Sequence, residues 1–327
     1  MRRGLLGPLG LALVLLGASP CSDVLAEEGY PRKPIDLLVS APPGGGHDIA
    51  ARLISSYFAT KYKIQMNVIN KPGGSGLPAI REMMAARPDG YLMYCEVHGA
   101  PLTAAFMPDK IPFDWRKRTW IARMTKDPLV YETRLDAPWK TLKEVADFIK
   151  NNPRKLSFGS SGVNGVGLSG TIQFLKVNNL RLKMANLVSF PGEAQVLTAL
   201  AGGHLDFASQ NFGPSWGLIE GKKIRPIAVV SGSRLSLLPD VPTVAEAGYP
   251  MLDIHGWHGI SGPPGLPKPI VDYWVNALER ASKDAVFQEM AANVKKEVAF
   301  LGPKEFVEFV EREYQKYLEM AKEVGGQ

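Results

Sequence analysis

The chain has 327 residues, of which 45% are hydrophobic and 21% charged, and its formal net charge is +6. That composition excludes a disordered chain, and the length exceeds what one hydrophobic core usually serves, so two lobes are expected. The positive charge is mild and lacks the dense basic runs of a nucleic-acid binder, so no nucleic-acid partner is expected.

Residues 1–26 read as a cleavable export signal. Arg2 and Arg3 supply a positive start, Leu9 to Leu16 form an apolar run too short to span a bilayer, and Val24–Ala26 offer a cleavage site. Cys21 raises a lipid-anchor alternative, which Pro20 directly before it disfavours. Cleavage after Ala26 removes Arg2, Arg3 and Asp23 and leaves a charge of +5. It also leaves Cys95 as one cysteine, so no internal disulfide can form in the oxidising compartment such a signal implies. Cys95 lies in the run YLMYCEV and reads as a buried strand residue. No later apolar run reaches about 18 residues, so a soluble mature protein is expected.

Strands and helices then alternate. Residues 35–41 read as a strand, and 47–58 as a helix with Ile49, Leu53, Ile54 and Phe58 on one face. A strand at 65–70, a helix at 77–86 and a strand at 90–97 complete a rhythm that argues for a parallel sheet covered by helices. The middle repeats the scheme, with strands at 128–134, 155–159, 185–190, 205–209 and 224–231. The helices between them fall at 141–152, 168–177, 192–203 and 214–220. The first of these opens on a capping box, Thr141 followed by Glu144. The end is helical. Residues 267–282 start on prolines suited to a first turn, and 303–324 place Phe306, Val310, Tyr314, Tyr317 and Ala321 on one face.

Three strand-to-helix turns are rich in glycine: PPGGGHD at 42–48, KPGGSG at 71–76 and GSSGVNGVG at 159–167. Such turns lie at the carboxyl ends of strands, where open α/β sheets bind ligands. Glycine permits close backbone approach, and the helix start offers free N–H groups and a positive dipole end, which together suit an anion. No Walker loop ends any of them, and the dinucleotide spacing fails at Ile49, so a small carboxylate is the better cargo. Glycine-rich turns also simply join strands to helices. Asp48 reads as a helix cap, because a carboxylate in the turn would repel an anion, and His47 as a possible ligand contact.

Several segments, in this order, carry a resemblance: 30–52, 70–76, 88–91, 155–162, 197–208, 224–250 and 256–271. Together they resemble the substrate-binding receptors of tripartite tricarboxylate transporters, the Bug family. The resemblance implies an α/β fold, a two-lobed periplasmic binding protein of type II-like architecture, with parallel-rich sheets flanked by helices and a hinged cleft. It also implies a periplasmic monomer without cofactor, metal or catalytic residue, which passes a carboxylate to inner-membrane transporter subunits. Carried over residue by residue, the ligand contacts are Pro43, Gly44, Gly45, Gly46 and His47, then His98, Gly99 and Ala100. The second lobe adds Ser160, Ser161, Gly162, Val163, Asn164, Phe190 and Asn211. The expected division is 27–124 plus 229–327 for the first lobe and 125–228 for the second.

The chain departs from the family pattern in places. Gly165 and Leu168 stand where a hydroxyl residue and a histidine are common, and FPGE, with Pro191 and Glu193, replaces a common PYKG. Phe190, Phe212, Trp216 and Trp257 could form an apolar wall for an aromatic acid, although core packing is expected of at least two. Two other functions stay open. An exported enzyme lacks a G-x-S-x-G elbow and an H-E-x-x-H motif. His255 and His258, if on a strand, would point to opposite faces, and His47, His98 and His204 are scattered. A receptor serving a membrane sensor instead of a permease would read the same.

Overall fold

The computed structural model describes residues 29–162 and 165–325. The expected export signal, with Cys21, and the expected contacts Val163 and Asn164 lie outside the described residues. Two sheets divide the chain. The first runs β11-β4-β10-β3-β1-β2, built from β1 (Ile35–Val39), β2 (Met66–Asn70), β3 (Leu92–Glu96), β4 (Thr119–Asp127), β10 (Gly256–Gly262) and β11 (Glu297–Leu301). The second runs β7-β6-β8-β5-β9, built from β5 (Leu129–Arg134), β6 (Ser157–Ser160), β7 (Asn186–Ser189), β8 (Phe207–Asn211) and β9 (Ile224–Val230).

Both sheets are mixed, with four parallel and five antiparallel pairings in all. The parallel pairings come from the β-α-β units. The antiparallel ones pair β10 with β3 and β4, β11 with β4, and β5 with β8 and β9. Of these strands, β4, β5, β9 and β10 lie next to the points where the chain passes between sheets, at Pro128 and through 231–255, and β11 adds an edge strand beside β4.

Helix α1 (Gly46–Tyr62) lays Ala50, Ala51, Leu53, Ile54 and Phe58 on the first sheet, in one cluster with Ile35, Leu37, Val39 and Trp274 of α8 (Lys268–Lys283). Helices α2 (Leu77–Met84) and α3 (Gly99–Phe106) follow β2 and β3. On the second sheet α4 (Leu142–Asn151) and α5 (Val166–Val177) serve one cluster, and α6 (Glu193–Ala201) and α7 (Phe212–Glu220) another. The Thr141 hydroxyl caps α4 by accepting from the Glu144 N–H at 3.2 Å, while the Glu144 carboxylate reaches back to the Lys140 N–H at 2.6 Å. The irregular segment 231–254 packs on the second sheet through Leu238, Val244, Leu252 and Ile254. A short helix, α9 (Ala285–Asn293), precedes β11.

The last helix, α10 (Pro303–Gly325), serves both lobes. Phe306, Phe309 and Val310 pack with Trp120 and Trp257 of the first, whereas Tyr317 and Met320 belong to the cluster holding Leu168 and Phe174 of α5. Among the described residues no helix is long and apolar enough to cross a membrane.

Candidate functional site

A cavity of about 250 Å³ lies where the carboxyl ends of parallel strands from the two sheets face each other. Its first wall is the turn from β1 into α1. Gly44 sits at φ +87°, a conformation that L side chains rarely adopt. Its N–H donates to Asp48 Oδ2 at 3.0 Å, and the same oxygen accepts from Arg52 Nε at 2.9 Å. Asn70 Nδ2 donates to the other oxygen at 2.9 Å. Burial pushes the Asp48 carboxyl up, but these three partners together hold it below the usual range. Asp48 therefore fastens the turn from within the first turn of α1, whose cap is Gly45 rather than Asp48, and it does not line the cavity.

His47 is buried. Its Nε2 lies 2.6 Å from the Cys95 carbonyl, so that nitrogen carries the proton, and Nδ1 faces Ser40 Oγ at 3.5 Å. Burial lowers its pKa to about 4, with the charge of Lys296 adding to the effect and the Cys95 carbonyl opposing it. His258 of β10 stacks loosely beside it, the ring centroids 5.9 Å apart. Burial, and then the charge of Lys296, hold His258 well below its ordinary value. Both imidazoles are neutral at pH 7. Behind them Lys296 Nζ pairs with Asp127 Oδ2 at 2.5 Å, both side chains almost fully buried.

The facing wall comes from the second lobe: Ser161, Gly162 and Gly165 after β6 with Val166 at the start of α5, Phe190 to Gly192 after β7 with Glu193 to Gln195 in the first turn of α6, and Asn211 at the end of β8. Glu193, in the first turn of α6, reaches across the cleft. Its Oε2 accepts from the Gly46 N–H at 2.9 Å, and its Oε1 from Asn211 Nδ2 at 2.6 Å and the Asn211 N–H at 3.3 Å. Burial raises the Glu193 carboxyl and the nearby Asp127 adds to this, against the pull of those two backbone bonds and of Lys296. No lysine or arginine is among the described residues lining the cavity.

Of the residues expected from sequence, Pro43, Gly45, Gly46, His47, His98, Ser161, Gly162, Phe190 and Asn211 line this cavity. Four others do not. Gly44 is turned to Asp48, and Ser160 is buried with its hydroxyl donating to the Gly162 carbonyl at 2.9 Å. Gly99 and Ala100 are buried in the first turn of α3. Among the four aromatic candidates, Phe190 reaches the cavity. Trp257 is fully buried against Phe306 and Phe309, Phe212 is core, and Trp216 packs on Phe212 beneath Lys295. Sequence reasoning missed Ser40, Gly73, Ser75, Gly76, Glu193 and His258 as lining residues. The 71–76 turn is one of the three anion-binding candidates of the sequence, although none of its residues is named there as a contact, and Glu193 is legible only as a departure from a pattern. His258 is brought beside His47, yet among the described residues no group of three or more His, Cys, Asp or Glu side chains is placed to hold a metal ion.

Known proteins share this architecture. A UPF0065 protein of Agrobacterium vitis, from the ttuE–ttuC′ intergenic region, is 29% identical over 269 residues, covering 82% of this chain and 77% of its own length. The periplasmic binding protein BugD superposes with a TM-score of 0.82 at 25% identity, covering 90% of this chain and 99% of that one. An R. palustris protein solved with adipate has the same fold, with a TM-score of 0.85 at 24% identity over 91% of this chain and 99% of that one. The family model described as the tripartite tricarboxylate transporter family receptor matches residues 50–325, and the chain belongs to that family.

Proposed function

We propose that the chain is a periplasmic solute receptor that captures a small carboxylate between its lobes and hands it to the membrane subunits of a tripartite tricarboxylate-type transporter. The observation that carries this reading is the cavity between strand-end turns of two sheets, walled largely by glycine, serine, proline and other small residues from both sides. Such a site holds its cargo through peptide N–H groups and gains its last contacts only when the lobes close. A charge-assisted hydrogen bond contributes roughly 1.5–3 kcal/mol. Four of them reach the roughly 8 kcal/mol of micromolar binding only when they exceed the cost of association and closure. The dicarboxylate held by the R. palustris relative supports the same cargo class here.

The working division is a first lobe of 27–124 with 229–327 and a second of 125–228. The sheets suggest moving its crossings to Pro128 and to the 231–255 segment. The reading requires that ligand be bound and released unchanged, with no cofactor, by a monomer.

A thermal-shift screen over aliphatic and aromatic acids, followed by calorimetry, tests it. The expected result is saturable one-to-one binding of a carboxylate that is recovered intact. At a hundredfold excess over Kd the stabilisation should be about 2.7 kcal/mol. A ligand recovered chemically altered would favour an enzyme, and a protein that binds no acid would overturn the reading.

A further inference from the structure

We propose that Glu193 sets what this cleft accepts, namely a carboxylate whose other end presents an N–H donor, an ammonium or a primary amide, to the Glu193 side chain. The inference rests on the receptor reading and specifies its substrate class.

The start of α1 is where a captured carboxylate would meet backbone N–H groups and the positive end of a helix dipole. In this chain a carboxylate is already there. Glu193 Oε2 accepts from the Gly46 N–H at 2.9 Å, across the cleft from its own helix, and Asn211 Nδ2 fixes the other oxygen at 2.6 Å. Glu193 is partly exposed and lines the cavity. Oε1 also accepts from the Asn211 N–H at 3.3 Å and is filled, whereas Oε2 has capacity for one further donor.

The surrounding charges leave nothing to offset a second anion beside it. Lys296 lies behind the wall and is paired with Asp127 at 2.5 Å, and the described lining holds no lysine or arginine. His47 gives its proton to the Cys95 carbonyl at 2.6 Å. A dicarboxylate would set one of its charges against Glu193. A half-amide of the same shape would turn that repulsion into a hydrogen bond. The turns elsewhere on the wall, at Gly73, Ser75 and Gly76 and at Ser161 and Gly162, carry no acidic side chain and are left to receive the ligand's one carboxylate.

The test compares isosteric pairs by calorimetry: succinate, glutarate, adipate and terephthalate, each against its own half-amide. The members of a pair differ in one charge and one donor. For a pair that fits, the half-amide should bind wild-type protein at least about tenfold more tightly than the diacid. In Glu193→Gln, which keeps the shape of the side chain, that preference should fall below about threefold or reverse. A diacid that binds wild-type protein as tightly as its half-amide overturns the inference and leaves the receptor reading standing. It would mean that Glu193 is displaced by the ligand's own carboxylate. This comparison uses wild-type protein alone, so it holds even if the variant folds poorly. Binding of neither member of any pair removes the small-carboxylate reading, and the inference falls with it.

Discussion

Gly45 caps α1 with φ −82° and ψ 167°, a conformation open to any residue. A Cβ there would meet Glu193 Oε2 at 3.8 Å and the Pro42 carbonyl at 3.9 Å, ordinary contact distances. Aspartate is also a favoured helix cap. The new carboxylate would, however, stand beside Glu193, so Gly45→Asp should lower the melting temperature at pH 7, less so at pH 5, while weakening carboxylate binding at least about tenfold by adding a like charge at the cleft wall. Calorimetry paired with a thermal melt checks both halves, and unaltered affinity would refute the placement of the site. Gly46 is less forgiving, because a Cβ there would come within 3.1 Å of Glu193 Oε2 and 3.2 Å of Asn211 Nδ2.

Glu132 of β5 makes stability depend on pH. Glu132 is fully buried, and neither of its oxygens has a hydrogen-bond partner. The Ser215 hydroxyl beside it donates to the Asn211 carbonyl at 3.1 Å instead. Burial, with a contribution from Glu193, pushes the carboxyl up to about 8. Between its unfolded value near 4.5 and 8 the unfolded chain binds fewer protons, so this group lowers stability as pH rises, at up to about 1.4 kcal/mol per pH unit. His47 works in the opposite direction below pH 6.5, because the unfolded chain gains a proton that the buried ring refuses until about 4. Comparing wild type with Glu132→Gln isolates the carboxyl. In urea melts the variant should gain on wild type steadily from pH 5 to pH 7.5, and a constant difference would show that Glu132 is ionised in the fold.

At the scale of elements, α5 is seated directly against β8 and β5. A Cβ on Gly167 would stand 2.2 Å from the Ser209 carbonyl, and one on Gly170 would stand 2.4 Å from Leu129 Cδ2. The missing side chains let Ser209 Oγ donate to the Gly167 carbonyl at 2.6 Å and the Tyr131 hydroxyl to the Gly170 carbonyl at 2.9 Å. Gly167→Ala must push the helix off the strand, and it should cost about 1–3 kcal/mol by chemical denaturation, as overpacking does. No loss would mean that α5 can slide without penalty.

The elements that sequence patterning reads well are those with an uninterrupted period. β1, with four of five residues fully buried, and the amphipathic α10 are the plainest cases. β4 escapes the same reading because Arg123, Lys126 and Asp127 break its apolar run. Their charges are answered by distant partners: Arg123 Nε donates to the Ala299 carbonyl at 2.9 Å, and Asp127 meets Lys296. α3, α9 and β11 are short or sit at an edge, with too few residues to show a period. The glycine turns were legible for the opposite reason, since proline and glycine declare a local backbone need. What no local signal declares is that the first turn of α6 faces that of α1, and so the destination of Glu193 was not legible.

At the scale of the molecule, three connections join the lobes: Pro128, the 231–255 segment and α10. The first two are strand-to-strand passages in which a few residues can absorb a rotation. The third is different in kind, a long continuous helix with Phe306 and Val310 rooted in one core and Tyr317 and Met320 in the other. A stiff rod anchored at both ends does not bend like a loop, so the lobe closure proposed above has to shift one of these two anchorages. The tail end of the polypeptide then rides the seam of this motion, on a different element from the cleft walls. If the receptor reading holds, a dye or fused reporter placed there should register the clamshell's opening from outside, without touching the cargo.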